Sequence, residues 1–172
     1  MKKIFFTALL LLLFRCEGCL PGHDMSSATW AQGIGMLSDS VRDWAIDFVL
    51  LHEGGHVVYN GVDYNYGLSG TYHGDVKLIT RDSARHVYQR LWIESNAGRM
   101  GDSCMALVFF DTYVMFNPTT ARELLDGCYE PRTYLLRRLE KHCLMIRKYP
   151  DKKQFLLTWN RRIVDLFNLC RR

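Results

Sequence analysis

Between Val41 and Asn65 the chain changes its repeat, and that change fixes most of what it can become. Val41, Trp44, Ala45, Phe48 and Val49 recur at i, i+3, i+4, i+7 and i+8, which places them on one face of an α-helix. Ser38, Asp39 and Ser40 stand just before the stripe, and short oxygen-bearing side chains at a helix start accept bonds from its free N–H groups. The stripe stops at Gly54-Gly55. Each glycine costs a helix interior about 1 kcal/mol and suits the left-handed conformation that ends one. His56–Tyr59 and Val62–Gly67 then flank Asn60-Gly61. A two-residue hairpin turn of type I′ needs positive φ at both positions, so Asn-Gly between β-prone runs predicts a hairpin. The expectation is an amphipathic helix ending near Glu53, with a small β-hairpin directly after it.

Downstream the signals are helical. Thr80-Arg81-Asp82 opens a helix with Ala84, Val87, Tyr88, Leu91 and Trp92 on one face. A buried helix runs from about Met105 to Met115 and stops at Asn117-Pro118, since the residue before a proline is pushed out of the helical region. A short helix covers Thr120 to Leu125 and ends at Gly127. A long one follows Pro131 with Tyr134, Leu135, Leu139 and Leu144 inward. The last spans Lys153 to Leu169 with Phe155, Leu156, Trp159, Ile163 and Leu166 inward. The fold class is mainly α, a helical domain over residues 38–172 with one small β-hairpin after its first helix. An apolar content of 48% is enough to fill its core, and the aromatic and leucine stripes read as packing. Asp111 lies inside the most apolar helix. A buried carboxylate needs a partner, which gives it a structural role with one of the C-terminal arginines.

The first residues read as an export signal. Lys2 and Lys3 precede an apolar run of eleven residues, Ile4–Phe14. That is shorter than the roughly 20 residues a membrane span needs and fits a secretory h-region; an uncleaved anchor helix is the other reading. Residues 1–19 are taken as this signal and 20–37 as an irregular lead-in. Cys19 after Gly18 resembles a lipoprotein site, so a lipid anchor at Cys19 stays open, and the expected location is the periplasm or cell envelope, or outside the cell. Cys104, Cys128, Cys143 and Cys170 lie downstream. In an oxidising compartment they form one or two disulfides, or else pack as small apolar residues. They include no C-x-x-C pair, which argues against structural zinc. Net charge is +4, and Glu130–Arg172 carries twelve Lys and Arg against four Asp and Glu, a local +8. Such a surface favours an anionic polymer or a membrane face, or is simply a solvated helix face. The export signal argues against nucleic acid as a partner.

His52-Glu53-Gly54-Gly55-His56 fits the H-E-x-x-H pattern of zinc proteases. That chemistry needs both histidines on one face of a continuous helix and a third ligand elsewhere. The glycine pair and the Asn60-Gly61 turn oppose such a helix, and none of His73, Asp75, Asp82 and His86 is singled out as a third ligand. A Glu at the end of an amphipathic helix, followed at once by a hairpin, is instead the arrangement of lysozyme-like enzymes. Glycoside cleavage needs a proton for a poor leaving oxygen, and a helix end in a cleft wall with an apolar neighbour such as Leu50 or Leu51 can hold a carboxyl able to give one.

Five segments in order resemble glycoside hydrolase family 108, the N-acetylmuramidases also called secretion-activating proteins. They are Glu53-Gly54-Gly55; Asn65-Tyr66-Gly67-Leu68-Ser69; Leu78–Ala84 with Val87-Tyr88 and Leu91-Trp92; Val108–Thr112; and Phe155–Arg162. The similarity spans roughly Trp44 to Phe167. It implies a lysozyme-like fold that hydrolyses the bond between N-acetylmuramic acid and N-acetylglucosamine in peptidoglycan glycan strands, with Glu53 as general acid and with no metal and no cofactor. It leaves open an association with a secretion, conjugation or phage-release apparatus. The loop after Glu53-Gly54-Gly55 is shorter than in the family, and Tyr64 stands where the family has Thr, so the second catalytic group is not carried over. Asp63, the one carboxylate in the hairpin, is the candidate to orient water or stabilise the cation. Strand alternation puts Asn65 on its face to hold it and Tyr64 and Tyr66 on the other. Tyr66 and Tyr59 are candidates for sugar stacking or for hairpin packing. His56, which with His52 flanks Glu53, is a candidate groove residue or a packing histidine. A lytic transglycosylase, a glycan-binding domain without activity, and a zinc peptidase remain the alternatives.

Overall fold

The computed structural model describes residues 36–171; the expected signal, Cys19 and most of the lead-in lie outside them. The elements are α1 (Asp39–Glu53), β1 (Val57–Tyr59), β2 (Val62–Asn65), β3 (Leu68–Ser69), α2 (Gly70–His73), α3 (Arg81–Ser95), α4 (Ser103–Met115), α5 (Pro118–Leu125), α6 (Pro131–Lys148) and α7 (Leu156–Leu169). Single 3-10 turns occupy Val76–Leu78, Ala97–Arg99 and Pro150–Phe155. The fold is mainly helical with a small antiparallel sheet, as the repeat pattern implied.

Capping residues set most helix starts. Thr80 accepts from the Ser83 N–H, Asp102 from Met105, and Asn117 from Thr120 with Pro118 opening α5. Each satisfies an N–H that has no partner within the helix. Ser38 sits at the start of α1, but its hydroxyl bonds Ser40 Oγ at 2.8 Å instead.

Helix α4 is the axis. Every residue from Met105 to Met115 is buried, as expected of a helix apolar all round, and α1, α3, α5 and α6 pack about it. A second apolar cluster joins the sheet to the C-terminal helices, with Tyr64 meeting Met115, Phe116, Met145, Phe155 and Trp159.

The sheet has order β1-β2-β3, with Val57 opposite Tyr64 and Tyr64 opposite Ser69. Its first turn is Asn60-Gly61, with φ of 49° and 77°. Its second is Tyr66-Gly67, also at 49° and 77°. The expected single hairpin is therefore a three-strand meander, whose second turn carries a tyrosine in a conformation usually given to Asn or Gly.

Two inward assignments change. Leu144 is 53% exposed, and α6 instead buries Tyr134, Leu135, Arg138, His142 and Met145, a stripe completed by polar side chains that have found partners. Leu51 is exposed while Leu50 is buried, so only Leu50 backs Glu53. The four described cysteines are free thiols. Burial and the neighbouring Cys104 push the Cys170 thiol well up. Among the described residues no helix is long and apolar enough to cross a membrane.

Candidate active site

Glu53 is the last residue of α1. Gly54, at φ 68°, turns the chain away into the sheet, so the helix presents this side chain at its very end. The residue is 2% exposed. Arg162 of α7 donates from Nη1 to Glu53 Oε1 at 2.7 Å. The same guanidinium donates from Nε to Asp111 Oδ1 and Oδ2 at 2.9 and 3.1 Å. Arg138 of α6 donates from Nη1 to Asp111 Oδ2 at 2.6 Å and to Thr112 Oγ1 at 3.2 Å. Four helices thus meet at two carboxylates and two guanidiniums, whose charges balance. Burial pushes the Asp111 carboxyl up, but Arg162 and Arg138 outweigh it and hold it below the usual range. The partner expected for Asp111 is Arg162, joined by Arg138.

The sheet lies against the other side of Glu53. A Cβ placed on Gly67 would stand 2.6 Å from Glu53 Oε2 and 2.7 Å from the Tyr88 hydroxyl oxygen. The β2–β3 turn therefore rests its backbone directly on the carboxyl. Tyr88 fastens this turn by donating its hydroxyl to the Tyr66 carbonyl at 2.7 Å. Burial, then the charge of Glu53, pushes its phenol well above the ordinary value.

A cavity of about 410 Å³ opens here, within the range that takes small ligands. Glu53, Gly67, Leu68 and Ser69 line it, together with Tyr72 and His73 of α2. Val87, Tyr88, Leu91 and Glu94 line it along α3, and Tyr113, Val114 and Pro118 close it. Burial, then Arg90, lowers the His73 imidazole. Burial, then Glu94, raises the Tyr113 phenol.

Of the side chains proposed from sequence, Glu53 lines this cavity. The strand alternation is as expected, but the face carrying Asp63 and Asn65 is covered by the Val76–Leu78 turn rather than open to a cleft. Asp63 meets His56 Nε2 at 2.6 Å and Lys77 Nζ at 3.4 Å. The His56 hydrogen bond, and then Lys77, holds its carboxyl low. His56 is thereby engaged on the outer side of the sheet. Asn65 donates from Nδ2 to the carbonyls of Val76 and Ile79 at 2.9 and 3.0 Å, a structural tie. Tyr59 packs edge-on to Phe155 at 5.7 Å, and Tyr66 packs against the main core. Asp63 is thus outside the cavity lining that holds Glu53, its carboxyl engaged by His56 and Lys77. His52 is buried with its ring 4.3 Å from Phe48. Since α1 ends at Glu53, His52 is on the helix while His56 lies in the connector before β1, and the helical pair that zinc requires does not form.

Compared with protein families, with curated proteins and with solved structures, the chain matches none.

Tyr72, His73 and Glu94 were not singled out in the sequence. The α3 positions had a signal, since Val87, Leu91 and Glu94 recur on one helical face beside Tyr88. The α2 pair, in a four-residue helix, had none.

Proposed function

We propose that the chain cleaves the glycan strands of peptidoglycan as a lysozyme-like N-acetylmuramidase, with Glu53 as the proton donor. The observation that carries this reading is the position of Glu53. A carboxyl at a helix end lines a cavity sized for a sugar, with the sheet backbone against one side and Arg162 against the other. In its ion pair with Arg162 Glu53 is a carboxylate held at Oε1, so to act as the acid it takes up a proton, and that proton would be carried on Oε2, on the Gly67 side. Tyr72, exposed beside the cavity, offers an aromatic surface of the kind sugars stack on. The ordered resemblance of five segments to family 108 supports the same assignment, and the Lys2–Phe14 segment supports export to the compartment where peptidoglycan lies. The bond broken would be that between N-acetylmuramic acid and N-acetylglucosamine, through an oxocarbenium-like transition state.

The test is release of muropeptides from purified peptidoglycan by the wild-type chain and by Glu53→Gln. The expected result is release by the first alone; equal clearing by both would remove Glu53 from the mechanism. One observation favours a second reading. Asp63 does not line the cavity, and a lytic transglycosylase needs a single acid–base carboxyl. Products with 1,6-anhydromuramic ends would select it over hydrolysis.

A further inference from the structure

Resting on the glycosidase reading above, we propose that Glu94 is the second carboxylate of the reaction, holding the attacking water across the cavity from Glu53. The cavity follows α3. Tyr88 lies beside Glu53, with its hydroxyl and Glu53 Oε2 both against Gly67. Glu94 lines the same cavity further along α3, near Tyr113. From Tyr88 to Glu94 the helix rises about 9 Å. Inverting glycosidases leave roughly 6.5–9.5 Å between acid and base to seat a water, whereas retaining ones bring the two carboxyls to about 5 Å. The rise of about 9 Å between these backbone positions is of the wider order, and it points to a water between the groups rather than direct attack by a carboxylate.

The other carboxylates fail this role for stated reasons. Asp63 is tied to His56 and Lys77 behind the sheet, and Asp111 is fully buried between two arginines. Glu94 is exposed and lines the cavity, and no lysine or arginine lines it. Its position on α3 is also rigid, which suits a group that must hold a water in line.

The step balances as follows. Protonated Glu53 gives its proton to the glycosidic oxygen, and the bond from that oxygen to the anomeric carbon breaks with its electron pair staying on oxygen. Water bonds to the anomeric carbon from the opposite face and passes a proton to Glu94. Solvent then returns Glu94 to the anion and Glu53 to the acid. The product anomer is inverted.

The experiment compares wild type, Glu53→Gln and Glu94→Gln on purified peptidoglycan, with and without sodium azide, reading muropeptides by mass spectrometry. Glu94 is exposed, so its variant should keep the wild-type melting temperature and sediment with peptidoglycan as wild type does. Its muropeptide release should fall about 100-fold or more. Azide, which needs no base, should restore turnover and yield a glycosyl azide. Release by Glu94→Gln within a few-fold of wild type, or anhydro ends in the wild-type products, would overturn the role of Glu94; either result, with Glu53→Gln inactive, leaves the glycosidase site standing. A wild-type chain that releases nothing overturns both.

Discussion

Gly67→Ala is the sharpest probe of how the site is held. Two costs can be worked from the structure. At φ +77° an alanine pays the left-handed penalty, about 1–2 kcal/mol. Its Cβ would also stand 2.6 Å from Glu53 Oε2, where ordinary contact begins at 3.4 Å, so the carboxyl must retreat by 0.8 Å (3.4 − 2.6). Behind the carboxyl stands Arg162, 2.7 Å away and fastened to Asp111, so the retreat displaces a packed ion cluster. Overpacking of this kind costs about 1–3 kcal/mol, for a total of about 2–5 kcal/mol. Gly61→Ala is the internal control. It has the same φ of +77° but nothing within 4 Å of the added carbon, so it should show only the first cost. Urea unfolding of both variants isolates the clash, and, on the muramidase reading proposed above, muropeptide release reads its effect on Glu53. A displacement approaching 1 Å can cost about 100-fold in rate. If Gly67→Ala is no less stable than Gly61→Ala, or keeps wild-type release, the carboxyl is not held as described.

Asp111→Asn leaves two buried guanidiniums with the Glu53 carboxylate as the one remaining counter-charge of the cluster and should cost about 3–5 kcal/mol in urea unfolding. Asn65→Ala strips the Val76 and Ile79 carbonyls of their donor, should cost about 1–3 kcal/mol, and should speed hydrogen exchange in the Val76–Ile79 segment. Acid should destabilise the fold through two histidines. Burial, then Arg138, lowers His142 from 6.5 to about 3, and burial, then Arg162, lowers His52 from 6.5 to about 4. The folded protein keeps both neutral where the unfolded chain protonates them, so stability is full above pH 6.5 and falls as pH drops toward 4, and toward 3 for His142. For His142 the loss between pH 6.5 and about 5 is about 2 kcal/mol; melting curves across that window should show it, and His142→Phe should flatten them.

The helices were legible because the 3.6-residue period of Val41–Val49 or Ala84–Trp92 is a property of the local chain. So was the Asn60-Gly61 turn, whose residues suit positive φ. Tyr66-Gly67 takes the same geometry, but a tyrosine there carries no such mark; the turn is held by the Tyr88 hydroxyl and by the fit of Gly67 against Glu53, both tertiary facts. Alternation told which β2 side chains share a face, but not that the Val76–Leu78 turn would cover the face of Asp63 and Asn65. On α6, Arg138 and His142 occupy the stripe where leucines were expected. Arg138 is admitted by Asp111, and His142 by stacking at 5.3 Å on Phe116 and packing against Trp159 at 5.1 Å. The position of Glu53 could be read from one short segment. Its surroundings come from α3, α4 and α7, and no local pattern announces which side chains those helices will bring to it.

The tie between Glu53 and Arg162 joins residues 109 positions apart. A chain is synthesised, and an exported one is threaded, from its N-terminus. α1 and the sheet therefore emerge long before the guanidinium that fixes their carboxyl. Until α7 has arrived and docked on Asp111, Glu53 lacks its bond from Arg162, and the carboxyl is not held by it while the chain is still being made. The site is timed by its own connectivity: its first part is made early, and its last part completes it.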